Sequence, residues 1–379
     1  MKLSRRIAVL LVVTLLFATA SATVLWYGAR QYDAPGPLNA PAQVVVPHGG
    51  SAAVAGVLAQ QGVIRSRLLF RATVLGTWGQ GQLHAAELAF PAHASLRQVL
   101  EILRHAKPVQ HELTIPEGFT AAQIAALLDN DPLLAGSLTP PAEGSVLPQT
   151  YAYERGSTRA ALLARMQAAM TKTLSEVWTS RDPSLGLSDA QALLTLASIV
   201  ERETGVGEER ARVAGVFLNR LRQSMRLQSD PTVAYGITHG TRPLATLSRA
   251  DLATDSPYNT YLVAGLPPGP ICSPGLAALT ATAHPAPGPA LYFVATGTGG
   301  HAFADTLPEH EANVARYRAV MAAKSGGAEV PIPSQGLLGS DGADAVPPGA
   351  APALPPFQKG VAPPVTRAPP HPHHRRHPH

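Results

Sequence analysis

The chain has 379 residues, 45% hydrophobic and 15% charged, with 36 prolines, a single cysteine and a formal net charge of +5. This length holds more than one packed core, the prolines point to linkers or a disordered end, and Cys272 alone excludes an internal disulfide. A basic balance suits anionic lipid head groups or an anionic envelope polymer, while the lack of basic-aromatic clusters argues against nucleic acid.

Met1 to Arg6 is basic, and Ile7 to Gly28 is an uncharged, mainly apolar run long enough for a spanning helix. Trp26 and Tyr27 stand where an interfacial belt belongs, and Lys2, Arg5 and Arg6 place the N-terminus in the cytoplasm. The remainder then lies outside the membrane. Ala20-Ser21-Ala22 also suits signal-peptide cleavage, but apolar character continues through Val24, Leu25 and Trp26, which favours an uncleaved anchor.

After a linker, a short apolar strand ending in Pro is followed four residues later by a Ser or Thr that opens a helix. The pattern occurs at Pro47–Ser51, Pro91–Ser95 and Pro116–Thr120, with capping boxes expected at Ser95/Gln98 and Thr120/Gln123. An extra helix, Ser66 to Gly76, falls between the first two units. These small strand-helix units resemble the LysM type of glycan-binding module; a spacer domain without a ligand is the alternative.

Leu133 to Ser145, with Pro140-Pro141 and Gly144, reads as a boundary. A helix from Ser157 comes next, with Arg159, Arg165 and Lys172 on its outer side. Ser188 to Thr204 is the central stretch: Ser188 with Gln191 predicts a capping box, and Leu193, Leu194, Ala197, Val200 and Glu201 share one helical face. A carboxyl on an apolar stripe loses hydration, so the pKa of Glu201 is expected to rise toward the range of a general acid. A buried ion pair with Arg202, Arg210 or Arg212 is the structural alternative. Further on come a helix over Glu208 to Arg222, an Asp230-Pro231 cap, a Ser273-Pro274 cap, a strand at Leu291 to Ala295, and a last helix opened by Thr306. From Gly326 the chain is dominated by Pro, Ala and Gly, which predicts disorder.

The run A-S-I-V-E-R-E-T at 197–204, N-R-L at 219–221, M-R-L-Q-S-D-P-T-V-A-Y-G at 225–236, Y-N-T-Y at 258–261, G-L-P-P-G and S-P-G within 265–275, A-H-P-A at 283–286, L-Y-F-V and G-G-H-A-F together resemble the endolytic murein transglycosylases, the MltG or YceG-like family. The motifs agree in order and spacing across about Ser188 to Tyr317. Two departures stand in Ala86 to Phe90, where that family carries Gly-Tyr, and at Gln149, where it carries Asp.

This resemblance implies an α+β chain. It has a cytoplasmic N-terminus (1–6), a transmembrane anchor (7–28), a linker (29–42), a LysM-like module (43–132), a connecting region (133–187), a mixed α/β catalytic domain (188–325) and a disordered tail (326–379). It implies an enzyme of the inner membrane, with the bulk of the chain extracytoplasmic. Such an enzyme cleaves the MurNAc-GlcNAc bond within peptidoglycan strands without water as acceptor, to limit or terminate nascent strands, alone or in a peptidoglycan synthase complex.

Glu201 takes the position of the catalytic acid. Gln228, Ser229, Tyr258, Asn259 and His301 are candidates for contact with the glycan, and His284 and His301 for orienting the acid or the sugar, with a structural role as the alternative for both histidines. No metal or organic cofactor is called for. Hydrolytic glycosidases use two carboxylates, and Asp230, Asp251 and Glu203 are the candidates for a second, with Asp230 also a helix cap and Glu203 far round the helix from Glu201. A membrane-anchored peptidoglycan-binding scaffold without catalysis is the reading from another class.

Overall fold

The structure is a computed structural model that describes residues 2–244 and 246–324. The expected disordered tail, 326–379, lies outside these residues. Helix α1, Lys2–Asp33, is the one helix among the described residues long and apolar enough to cross a membrane, a property that an anchor and a signal sequence share. It runs past Gly28, so the linker before the first strand is shorter than expected. Its last turn is tied to the helix that begins at Leu96: Arg97 donates to Asp33 at 2.6 and 3.0 Å and stands over the Tyr32 ring.

The first core encloses β1 (Ala42–Val45), α2 (Ser51–Gln60), α3 (Arg67–Gly76), β2 (Glu87–Phe90) and α4 (Leu96–His105). β1 and β2 pair antiparallel, Val44 opposite Leu88. Val54, Leu58, Phe70, Leu88, Phe90, Val99, Leu100 and Leu103 are each at most 2% exposed, and their burial drives this assembly. Ser66 caps α3 and the Ser95/Gln98 capping box forms, whereas α2 starts at Gly50 without a side-chain cap.

The third strand-helix unit does not join this core. β3 (Gln110–Thr114) pairs antiparallel with β4 (Thr150–Glu154), from the region expected only to connect. With α5 (Ala121–Asp129) and the start of α6 (Arg159–Ser180), they enclose a second core of Ile115, Ile124, Leu128, Tyr151, Tyr153, Leu162 and Met166. α6 is capped by Thr158, one residue beyond Ser157. Arg159 does not face outward. Its guanidinium donates to the carbonyls of Leu128, Asp129, Asp131, Leu134 and Gly136 at 2.7–3.0 Å, because the end of α5 leaves carbonyls unbonded and arginine brings five donors.

The third core is built round α7 (Ala190–Glu203), packed by α6, α8 (Arg210–Arg222), α9 (Asp230–Thr238) and α11 (Leu276–Ala283). Every residue of α7 from Leu193 to Val200 is buried, Thr195 and Ser198 included, so the apolar stripe of the sequence is in fact a helix enclosed on all sides. Its cap is Asp189 rather than Ser188: the Asp189 carboxylate accepts from Ala192 N–H at 2.8 Å, an ionised acceptor at the positive helix end. In α8, Gly215 faces the Ala286 carbonyl so closely that a Cβ would collide with it, which lets α8 pack directly on the chain after α11. The short α10 (Arg249–Leu252) starts with a Ser248/Asp251 capping box. β5 (Tyr292–Ala295) and β6 (His301–Ala304) form a hairpin, Phe293 opposite Phe303, covered by α12 (Leu307–Lys324).

Candidate active site

Glu201 lies in the last turn of α7, with its side chain 7% exposed. Three loops converge on it. Gly275 N–H, at the start of α11, donates to Glu201 Oε2 at 3.0 Å. From the stretch ahead of α5, Gly118 sits against the Glu201 side chain, and its φ of +74° is open to glycine without strain. From the start of α8, Arg210 Nη2 lies 3.7 Å from Glu201 Oε1 and 3.8 Å from Glu117 Oε2. The loops are locked to each other, since Gly118 N–H donates to the Ser273 carbonyl and Ser273 N–H to that of Phe119.

Glu117 is the carboxylate that sequence reasoning missed. It packs on Gly275 where a Cβ would stand, so only glycine at 275 leaves room both for Glu117 and for the N–H that reaches Glu201. Burial pushes the Glu201 carboxyl above its ordinary value near 4.5; the Gly275 N–H pulls it down, the Glu117 charge pushes it up, and Arg210 and Arg202 pull it down. The Arg210 separation is beyond hydrogen-bond length, so the cation does not form a close ion pair. Arg210 Nε and Ser273 Oγ, both at this site, are buried without a hydrogen-bond partner. Arg212, another proposed partner, instead stacks on Phe303 at 3.9 Å.

The three expected second carboxylates are occupied elsewhere. Glu203 accepts from Ser229 Oγ, Asp230 accepts from the Tyr261 hydroxyl at 2.6 Å, and Asp251 caps α10. α9 begins at Asp230 itself, with Ser229 in the cap position and no side-chain bond from that cap. Nor does Ser273 cap α11: the cap position is Gly275, whose N–H goes to Glu201.

A cavity of about 290 Å³ opens beside the site, lined by Thr120, Gln123, Arg202, Tyr235, Arg242 and Ile271 among others. Tyr258 stacks near it, its ring 4.9 Å from Tyr235. Glu143 stands behind these tyrosines, bonded to Tyr235 and to Ala121 N–H, and burial raises its pKa. The other expected contact residues are placed differently. Ser229 and Asn259 are fully buried; Asn259 donates to the carbonyls of Leu252 and Thr254 and accepts from Tyr261 N–H. Neither presents surface to a ligand. Gln228 is half-buried and accepts from Arg220 at 3.4 Å. His301 pairs with Glu209 at 2.7 Å, next in sequence to Arg210, and His284 ends α11 near Asp182.

Glu201 is thus a desolvated carboxyl held by one backbone donor, with the Glu117 carboxylate and the Arg210 guanidinium beside it. The YceG-like family matches residues 44–316, well over half of the sequence, and the chain belongs to this family. The endolytic murein transglycosylase of Streptococcus pneumoniae serotype 2 is 33% identical over 252 residues, 56% of this chain and 45% of that protein. That of Bacillus subtilis strain 168 is 37% identical over 178 residues, 47% of this chain and 48% of that protein. The chain thus spans about half the length of the curated relatives it matches. A crystal structure of a YceG-like protein from Listeria monocytogenes has 28% identity and a TM-score of 0.46, covering 71% of this chain and 97% of that one.

Proposed function

We propose that this protein is a peptidoglycan lytic transglycosylase in which Glu201 is the catalytic residue. The observation that carries this reading is the Glu201 carboxyl itself: deeply buried, raised in pKa by burial, and oriented by the Gly275 N–H instead of a close cation. Such a group holds a proton at higher pH than an exposed glutamate and can give it up at a fixed place. The relatives' name supplies the substrate class.

In the proposed reaction the Glu201 proton passes to the glycosidic oxygen as the bond from muramyl C1 to that oxygen breaks. The resulting carboxylate takes the proton of the muramyl C6 hydroxyl, whose oxygen bonds to C1. A 1,6-anhydro ring forms, the acid is regenerated, and no water is consumed. Glu117 has two effects: it shares Arg210 with Glu201, and its charge keeps the proton on its neighbour. The cavity beside Arg202 offers sugars an aromatic wall at Tyr235 and polar groups at Thr120, Gln123 and Arg242, the mixture that glycan sites need. The LysM-like reading then concerns the first two strand-helix units, which share a core. Helix α1 anchors the enzyme in the inner membrane, and peptidoglycan synthases are the partners this placement brings within reach.

Incubation of the full chain in detergent with purified peptidoglycan, followed by mass spectrometry of the products, tests the reading. Anhydromuramyl ends are expected. Reducing muramyl ends instead mean hydrolysis, with Glu117 as the second carboxylate, and binding without any new ends means a scaffold.

A further inference from the structure

Among the described residues outside α1, the three most exposed large apolar side chains are Leu68 and Leu75, each 76% exposed, and Trp78, at 80%. They lie together. Leu68 and Leu75 are seven residues apart on α3, two turns along one face, and Trp78 comes directly after in the 3-10 turn Trp78–Gln80. The opposite face of α3 carries Phe70, fully buried, with Leu69 and Val74 packed into the first core, so this is a helix with two apolar sides.

The outward side is also basic. Arg65, Arg67 and Arg71 are exposed, and the stretch 65–80 contains no acidic residue. Nor is Trp78 on a frayed end. Arg104 of α4, itself 5% exposed, donates to the Thr77 carbonyl and hydroxyl and to Gln80 Oε1 at 2.7–3.0 Å, and so clamps the turn on both sides of the indole.

Position shows what such a face meets. Arg65, just ahead of α3, donates to the Pro35 carbonyl, and Gln31, Ala34 and Pro35 line one cavity with Arg65, Ser66 and Leu69. The start of α3 therefore lies against the end of α1. If Ile7 to Gly28 fills the hydrocarbon layer, the five residues to Asp33 rise only about 7 Å further, at about 1.5 Å per residue, which is still head-group depth. α3 is about 15 Å long on the same scale, so where it lies along that surface its whole exposed face meets the head groups. Tryptophan prefers this interface, leucine adds apolar burial, and arginine adds attraction to anionic lipid.

We propose that the exposed face of α3 and the turn after it, Leu68, Leu75 and Trp78 with Arg65, Arg67 and Arg71, dock onto the outer surface of the bilayer that α1 spans. The proposal rests on the anchor reading of α1. It gives the first core a second membrane contact beside the anchor and sets the height of the rest of the chain above the bilayer.

The test uses full-length protein in vesicles of phosphatidylcholine and phosphatidylglycerol with brominated acyl chains, which quench only tryptophans at or in the bilayer. One variant keeps Trp78 alone (Trp26→Phe, Trp178→Phe), and another keeps Trp26 alone (Trp78→Phe, Trp178→Phe). Quenching of both is expected, with a blue-shifted Trp78 emission. The Trp78 signal should be lost in Leu68→Glu/Leu75→Glu and weakened when phosphatidylglycerol is omitted. Quenching of Trp26 without Trp78 overturns the docking while leaving the anchor intact, and points to a face kept for a protein partner. Quenching of neither overturns the anchor reading and the docking with it.

Discussion

Two glutamates, one in each half of the molecule, have the same side-chain exposure of 7% and opposite acidities. Glu87, at the start of β2, accepts from His111 at 2.6 Å and from Arg155 at 3.0 Å, and the Arg155 hydrogen bond above all holds its pKa below the ordinary value. It ties the first core to the strands of the second. Glu201 has a cation at 3.7 Å, a carboxylate neighbour and one backbone donor, and burial pushes its pKa up. The same small exposure therefore covers two environments, since Glu201 is sunk deeper among protein atoms and loses more hydration than Glu87. Contact geometry adds to this: a guanidinium and an imidazole within hydrogen-bond reach make Glu87 a structural anion, and a deeper carboxyl whose cation is held off keeps its proton more readily.

The sharpest way to break this comparison is Glu201→Gln, which is expected to lower turnover about a hundredfold to ten-thousandfold. The melting temperature should barely move, because the amide still accepts from Gly275 and Arg210 keeps Glu117 within 4 Å. An active variant would remove Glu201 from the mechanism, and a large loss of stability would make it a structural anion like Glu87.

Next in size, Glu87→Gln should cost about 1.5–3 kcal/mol of stability, the range for hydrogen bonds to charged groups, read by denaturant unfolding. The two residues should also respond to pH with opposite sign. The depressed pKa of Glu87 contributes stability that is present above its unfolded value, near 4.5, and lost as pH falls through the folded value. For Glu201, whose pKa is raised, the contribution is complete below that unfolded value and is lost as pH rises through the folded one. A wild-type and Glu87→Gln pair with the same acid sensitivity would contradict the first assignment.

The smallest effect belongs to Glu117→Gln. Removal of the like charge should shift the alkaline limb of the kcat profile to lower pH, with a loss near neutrality of less than about tenfold, since one pKa unit is one factor of ten in protonated fraction. An unshifted limb with lower kcat would mean that Glu117 contributes by packing on Gly275 alone.

Local chemistry was legible in the sequence and distant partnership was not. The Ser95/Gln98 and Thr120/Gln123 boxes formed because donor and acceptor lie three residues apart. Burial of Glu201 could be read from helical period, although the period suggested a stripe where α7 is enclosed on all sides. Ser229 and Asn259 read as sugar contacts because sugars need convergent polar groups, whereas Asn259 is used by its own loop, through Leu252, Thr254 and Tyr261. The role of Ser229 depends on loop closure, its N–H donating to Thr260 Oγ1, 31 residues away, and its hydroxyl to Glu203, 26 away. Glu117 stood in plain view inside the Pro116–Thr120 helix opening, but nothing in that opening indicates that Gly275 and Arg210 lie beside it. Asp189 displaced Ser188 as the cap of α7 because an ionised acceptor bonds the helix start more strongly than a hydroxyl.

The assembly of the site from loops far apart in the chain has a consequence for the order in which the protein is made. Gly275 N–H reaches Glu201 across 74 positions, and it must be seated before that carboxyl is oriented. On the export reading, a chain threading through the membrane from its N-terminus carries Glu117, Glu201 and Arg210 across well before residue 275 emerges. Until then the acid has no fixed orientation and no enclosed pocket. On the proposed function, cutting of the wall by an emerging chain would begin only when the last of these loops has crossed and folded.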